Sequence, residues 1–97
     1  MIPVRRVEIV VASPHAKRVI ALLEERGFEG WTRIRGVSGS GERGHQRGDE
    51  PTGASSNDWI LAACEPEVFD GAREELRSLL SSLGGMCLVS EAMWLRH

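Results

Sequence analysis

The apolar residues of this chain change period in a set order, two then 3.6, two, two, 3.6 and two, and that order admits few folds. Over residues 4–12, Val7, Ile9 and Val11 fall on one face and Arg6, Glu8 and Val10 on the other, as in a strand. Ser13 and Pro14 follow, a capping hydroxyl and a proline at the first helical position. Ala16, Val19, Ile20 and Leu23 then recur at helical spacing. Gly27 stands just past the last turn, where a left-handed cap favours a residue without Cβ. Residues 29–37 alternate again, Thr32 and Ile34 against Trp31, Arg33 and Arg35, and two exposed arginines suit a sheet edge. Residues 57–64 are apolar on both faces, Trp59, Leu61 and Ala63 against Ile60, Ala62 and Cys64, which predicts a central strand. Trp31 and Trp59 are expected to pack across neighbouring strands. Pro66 opens a second helix with the stripe Phe69, Ala72, Leu76, Leu79, Leu80 and Leu83, ended by Gly84 and Gly85. Residues 86–95 supply the last strand.

The order βαββαβ predicts an α+β, ferredoxin-like sandwich: an antiparallel four-stranded sheet, first and third strands central, with two helices on one face. The 97 residues hold one such domain, residues 1–97. Two helices leave the second sheet face uncovered, with Val10, Ile60, Ala62 and either Met93 or Trp94 expected on it. Apolar surface of that extent marks an interface, so a homo-oligomer closed through its sheets is expected.

Residues 38–56 break the pattern. They carry five glycines (Gly39, Gly41, Gly44, Gly48 and Gly53), and only Pro51 and Ala54 are apolar. Neighbouring antiparallel strands need only about 2–5 connecting residues, and a longer loop with no period of its own is usually functional or a flexible linker. The run from Gly36 to Gly41 offers backbone N–H groups unhindered by large side chains, able to wrap an anion. Arg35, Arg43 and Arg47 add forked donors for a phosphate or carboxylate. No Gly-Lys-Ser/Thr follows, and no helix follows, so neither a Walker loop nor a dinucleotide fingerprint is present.

Charge and composition narrow the function. Twelve Lys and Arg against 14 Asp and Glu give a net charge of −2, without the basic footprint of a general nucleic-acid binder. The first residues lack the apolar core of a signal peptide and no apolar run could span a bilayer, so a cytoplasmic protein is expected. Cys64 and Cys87 have apolar neighbours and no CxxC spacing, and read as two buried thiols. His15, His45, His97 and the cysteines are metal-compatible but unclustered; His45, with Glu42 and Asp49, is the one metal candidate. No nucleophile stands at motif spacing from a base, and the acids Glu42, Asp49, Glu50 and Asp58 read as a solvated connector, so no enzyme is expected. Trp31, Trp59 and Trp94 are the side chains able to stack a nucleobase. Arg5 and Arg6 read as surface charge.

The run Gly30-Trp-Thr-Arg-Ile-Arg-Gly36-Val-Ser-Gly39-Ser-Gly41 resembles the second strand and loop entrance of PII-type signal transduction proteins, and Gly27 and the closing Cys87-Leu-Val-Ser-Glu91 strand match as well. The likeness fits the non-classical, PII-like branches. It implies a homotrimer with intersubunit clefts that bind an adenine nucleotide or other small effector, and a long loop, the T-loop, that docks onto a membrane transporter or metabolic enzyme. By position, Gly36, Val37, Ser38, Gly39 and Gly41 would lie against the effector's phosphates, with Arg96 as a cationic partner. Glu42, Arg43, His45, Arg47 and Asp49 would meet the partner protein. The lysine that classical members place after the second helix is absent from Leu83-Gly-Gly-Met-Cys-Leu88, which favours AMP, ADP or cyclic AMP over ATP. The modified tyrosine of classical members is also missing, since the chain has no tyrosine. A metal-binding trimer of the same fold, like the cation-tolerance proteins, is the alternative.

Overall fold

The computed structural model describes residues 1–41, 44–46 and 56–97. Its elements are β1 (Ile2–Ala12), a 3-10 turn (Ser13–His15), α1 (Ala16–Glu25), β2 (Thr32–Val37), β3 (Gly39–Gly41), β4 (Gly44–Gln46), β5 (Asn57–Cys64), α2 (Pro66–Leu83) and β6 (Met86–Trp94). Four of the strands form one antiparallel sheet in the order β2-β5-β1-β6, so the first and third long strands are central, as their composition predicts. With α1 and α2 on one face, this is the expected ferredoxin-like βαββαβ sandwich.

Val7, Ile9 and Val11 of β1 form the core with Ile60, Ala62 and Cys64 of β5, Val19 and Leu23 of α1, and Phe69, Ala72 and Leu76 of α2. Leu79, Leu80 and Leu83 extend the α2 stripe along its margin. Arg26, just past α1, pairs with Glu75 of α2.

Several expectations are corrected by the register. Residues directly opposite in adjacent strands share a face, and Ile9 faces Ile60 while Val7 faces Ala62. Ile60 and Ala62 are therefore core residues, and Trp59, Leu61 and Ala63 occupy the uncovered face instead. Alternation alone gave β5 no sign, because both its faces are apolar. Trp94 shares the uncovered face with Ile2, whereas Met93, opposite Pro3, has the helix-side parity. The uncovered face also holds Val10, Ile34 (48% exposed), Met86 (48%) and Leu88 (54%).

β2 begins at Thr32, so Trp31 precedes the strand and its indole N–H donates to the Glu24 carboxylate at 3.1 Å. The residue opposite Trp59 is Ile34, and the expected pairing of two tryptophans does not occur. Arg33 is not an exposed edge charge, and Ser13 does not cap a helix; both turn toward Asp58, which is fully buried rather than part of a solvated connector. Residues 38–56 also contain regular structure, since β3 and β4 pair antiparallel. Of the two thiols Cys64 is buried and Cys87 half-buried, both on the helix-facing side and separated by β1.

Candidate functional site

The glycine run leaves the sheet at the end of an edge strand. β2 pairs with β5 through Ile34, then slips register before Val37 meets Asn57. Gly36 lies inside that bulge with φ 71°, a conformation that disfavours any residue with a Cβ. A methyl group at Gly36 or Gly39 would touch nothing within 4 Å, so packing does not demand these glycines and the backbone there is open to approach. Arg35, Gly36, Ser38 and Gly39 are exposed and Val37 half-buried; Gly41 follows at the end of β3. Five of the expected effector-binding positions are thus contiguous, 35–39, with Gly41 two residues on.

Asp58 holds the root of this run. Its Oδ1 accepts the Ser13 hydroxyl at 2.5 Å and the Gly36 N–H at 3.2 Å. Its Oδ2 accepts the Arg33 Nε–H at 2.6 Å and lies 2.6 Å from Nη2, so the guanidinium meets it through two nitrogens. Burial pushes the Asp58 carboxyl up, but the hydrogen bonds from Ser13, Arg33 and Gly36, with the Arg33 charge, more than offset it. The carboxyl sits below the ordinary aspartate range and is ionised at neutral pH. Ser13 also meets Ser56, backbone N–H to carbonyl at 2.8 Å and hydroxyl to hydroxyl at 3.1 Å. Residues 36 and 56, on either side of the long connection, are therefore tied to one cluster.

The turn between α2 and β6 is seated at the same end. Met86 pairs with Val10, and a Cβ on Gly85 (φ 105°) would lie 2.5 Å from the Val10 carbonyl oxygen and 2.8 Å from Val11 Cγ1.

Arg96 is elsewhere. It stacks over Trp94, 5.8 Å from the ring centre, and Trp94 pairs with Ile2 at the opposite end of β1 from Ala12. Ala12 and Val37 both face Asn57, so at about 3.3 Å per strand residue Arg96 lies roughly 30 Å from the glycine run in the same chain. One copy of the chain does not bring Arg96 to residues 35–41. Beside Arg96 the uncovered face forms an open groove of about 540 Å³, lined among others by Val4, Trp31, Leu61 and Trp94.

Glu42, Arg43, Arg47 and Asp49 lie outside the described residues, as does the side chain of His45, whose backbone pairs with Ser40. Among the described residues no three His, Cys, Asp or Glu side chains are grouped to hold a metal ion. Nor is any described helix long and apolar enough to cross a membrane.

The Asp58 cluster was missed by sequence reasoning, though a signal existed. A lone carboxylate at the head of the apolar run 58–64, in line with Ile60 and Ala62, must be buried and so needs a cation. The alternate row of the neighbouring strand offered Arg33.

Comparison with known proteins fits this geometry. The family model described as nitrogen regulatory protein P-II matches residues 4–97. No curated protein matches the chain in sequence. Among solved structures, CPII, a nitrogen regulatory PII-like protein from Thiomonas intermedia K12 solved with ADP, AMP and bicarbonate, superposes with a TM-score of 0.85. It is 23% identical, over 93% of this chain and 86% of that one. A PII-like signalling protein from Thermus thermophilus gives a TM-score of 0.77 at 20% identity, over 94% and 88% of the two chains. CutA1 from Oryza sativa gives 0.70 at 11% identity, over 98% and 84%, a likeness of fold.

Proposed function

This chain belongs to the nitrogen regulatory protein P-II family, and from that premise we propose that it works as a homotrimer holding an adenine nucleotide or another small anionic effector in clefts between its subunits. It acts in the cytoplasm and has no catalysis of its own. Effector binding orders residues 38–56 and so changes their affinity for a membrane transporter or a metabolic enzyme. The residues that meet the effector are Arg35, Gly36, Val37, Ser38, Gly39 and Gly41 of one subunit and Arg96 of another. Glu42, Arg43, His45, Arg47 and Asp49 meet the partner protein.

The observation that carries this reading is the glycine run itself. It starts from a pinned residue, its backbone is open to approach, and it leaves an edge strand beside an uncovered apolar face. An anion cradle at a seam needs a fixed origin, small side chains and a second surface, and the chain supplies all three. The roughly 30 Å between Arg96 and the glycine run supports a seam between copies, since another copy must then provide the cation. The ADP and AMP carried by CPII favour a mono- or diphosphate as ligand. So does the turn from Leu83 to Leu88, which has no cationic side chain to meet a third phosphate.

Calorimetry on the purified chain with AMP, ADP, ATP and cyclic AMP, each with and without bicarbonate, tests the reading. We expect AMP or ADP to bind and ATP to bind at least about tenfold more weakly, a difference of ~1.4 kcal/mol. Silence from all four would remove the nucleotide.

A further inference from the structure

We infer that Asp58 is the positioning residue of the effector cradle: it fixes where the glycine run begins by holding the Gly36 amide, and anchors the far end of the same connection through Ser13. The inference rests on the effector-binding reading above and adds to it the residue, outside the glycine run, that sets its geometry.

One carboxylate on β5 receives three hydrogen bonds and one further guanidinium contact from two other parts of the chain, Ser13 after β1 and Arg33 and Gly36 of β2. Its side chain is 1% exposed and that of Arg33 is 14% exposed. An isolated carboxylate is costly to take out of water, and only full use of its lone pairs makes the position tenable. For packing alone an apolar side chain would serve as well, because Asp58 continues the core row of Ile60, Ala62 and Cys64. What the carboxylate adds is direction. Oδ1 is the partner of the Gly36 N–H, at the bulge where β2 leaves the ladder with β5. The direction in which residues 37–39 depart from the sheet therefore depends on this bond. The same oxygen accepts the Ser13 hydroxyl, and Ser13 binds Ser56 through backbone and hydroxyl alike. Entry and exit of the connection cannot move apart without breaking a contact to this cluster.

Arg33 belongs to the anchor and not to the cradle. Its guanidinium faces Asp58 through two nitrogens, so its charge is matched inside the protein, whereas Arg35 two residues on is exposed and available to an anion. Two arginines of one strand thus have separate tasks.

The test uses the full chain and three variants: Asp58→Asn, Ser13→Ala, and the double change Asp58→Leu with Arg33→Met, which leaves no charge stranded if Asp58→Asn fails to fold. Amide exchange is followed by NMR at Gly36 and, as core controls, at Val7 and Ile9; ADP and AMP affinities are measured by calorimetry. The double variant, which leaves the Gly36 amide no acceptor, should exchange it about tenfold faster or more with the controls unchanged, and bind nucleotide about tenfold more weakly; Asp58→Asn, whose carboxamide oxygen can still accept that N–H, should fall between it and wild type. Ser13→Ala, which keeps the Gly36 bond, should leave Gly36 protected and affect affinity less. Protection at Gly36 that persists in the double variant overturns the inference, and so does lost protection there with unchanged affinity. A wild-type chain that takes up no nucleotide contradicts the effector reading by itself. The exchange data then judge the anchor alone, lost protection sustaining it and retained protection overturning it.

Discussion

The Asp58 carboxylate and the Arg33 guanidinium illustrate how one buried ion pair can set the pH response of a small domain. The Asp58 carboxyl is held below the ordinary aspartate value of about 3.9, so the folded chain binds fewer protons than the unfolded chain across that window. Its contribution to stability is complete above the ordinary value and is lost as the pH falls through the lowered one. Denaturant unfolding of wild type and Asp58→Asn at pH 7 and pH 3 should show a large gap at pH 7 that narrows in acid. Arg33→Met, which strands the carboxylate, should cost about 3–5 kcal/mol at pH 7, the range for breaking a buried pair from one side. The two thiols give a second expectation at this scale. Burial pushes Cys64 up to about 11, with the Phe69 amide and Arg5 pulling weakly the other way, and raises Cys87 as well. At pH 8 only about one Cys64 in a thousand is the reactive thiolate. Ellman's reagent should therefore leave Cys64 untouched in the folded chain and titrate both thiols only in denaturant.

Among the elements, the turns carry the sharpest constraints. Gly85→Ala would drive a Cβ into the Val10 carbonyl and Val11 while keeping a left-handed φ, and should lower stability by about 2–4 kcal/mol. Gly36→Ala meets no neighbour and bears only the backbone strain, about 1–2 kcal/mol. Equilibrium denaturation of the two variants checks that order. The elements were legible in the sequence because each rests on a local signal. The alternation at Val7, Ile9 and Val11, the proline at position 66, the stripe from Phe69 to Leu83 and the closing glycines all act within a few residues. What local signals do not hold is the sign of a face. Residues 57–64 are apolar on both sides, so only the pairing of Ile9 with Ile60 decides that Trp59 and Leu61 lie opposite the helices. The same limit hid the anchor. Arg33 reads as edge charge and Ser13 as a helix cap, and their common partner lies 25 and 45 residues away. The glycine run was legible as a candidate cradle, while the residue that holds it was not.

At the scale of the whole molecule the uncovered sheet face is the dominant fact. Trp59, Leu61, Ile34, Met86, Leu88 and Trp94 share one side of the sheet with no helix over them, and four of the six are more than 40% exposed. A face of this kind is a liability for a lone chain and an asset for an assembly. Glu8 lies opposite both Leu61 and Leu88 on this face, so Leu61→Glu or Leu88→Glu sets a second acid beside it and should keep copies from assembling while leaving the helix-side core folded, which sedimentation together with circular dichroism would show. The proposed cradle depends on copies of the chain meeting on this face, so that Arg96 of one completes the glycine run of another. Native mass spectrometry of the intact chain, with and without ADP or AMP, addresses that directly. A homotrimer that takes up as many as three nucleotides is expected; a monomer that takes up none rules out a cradle shared between copies.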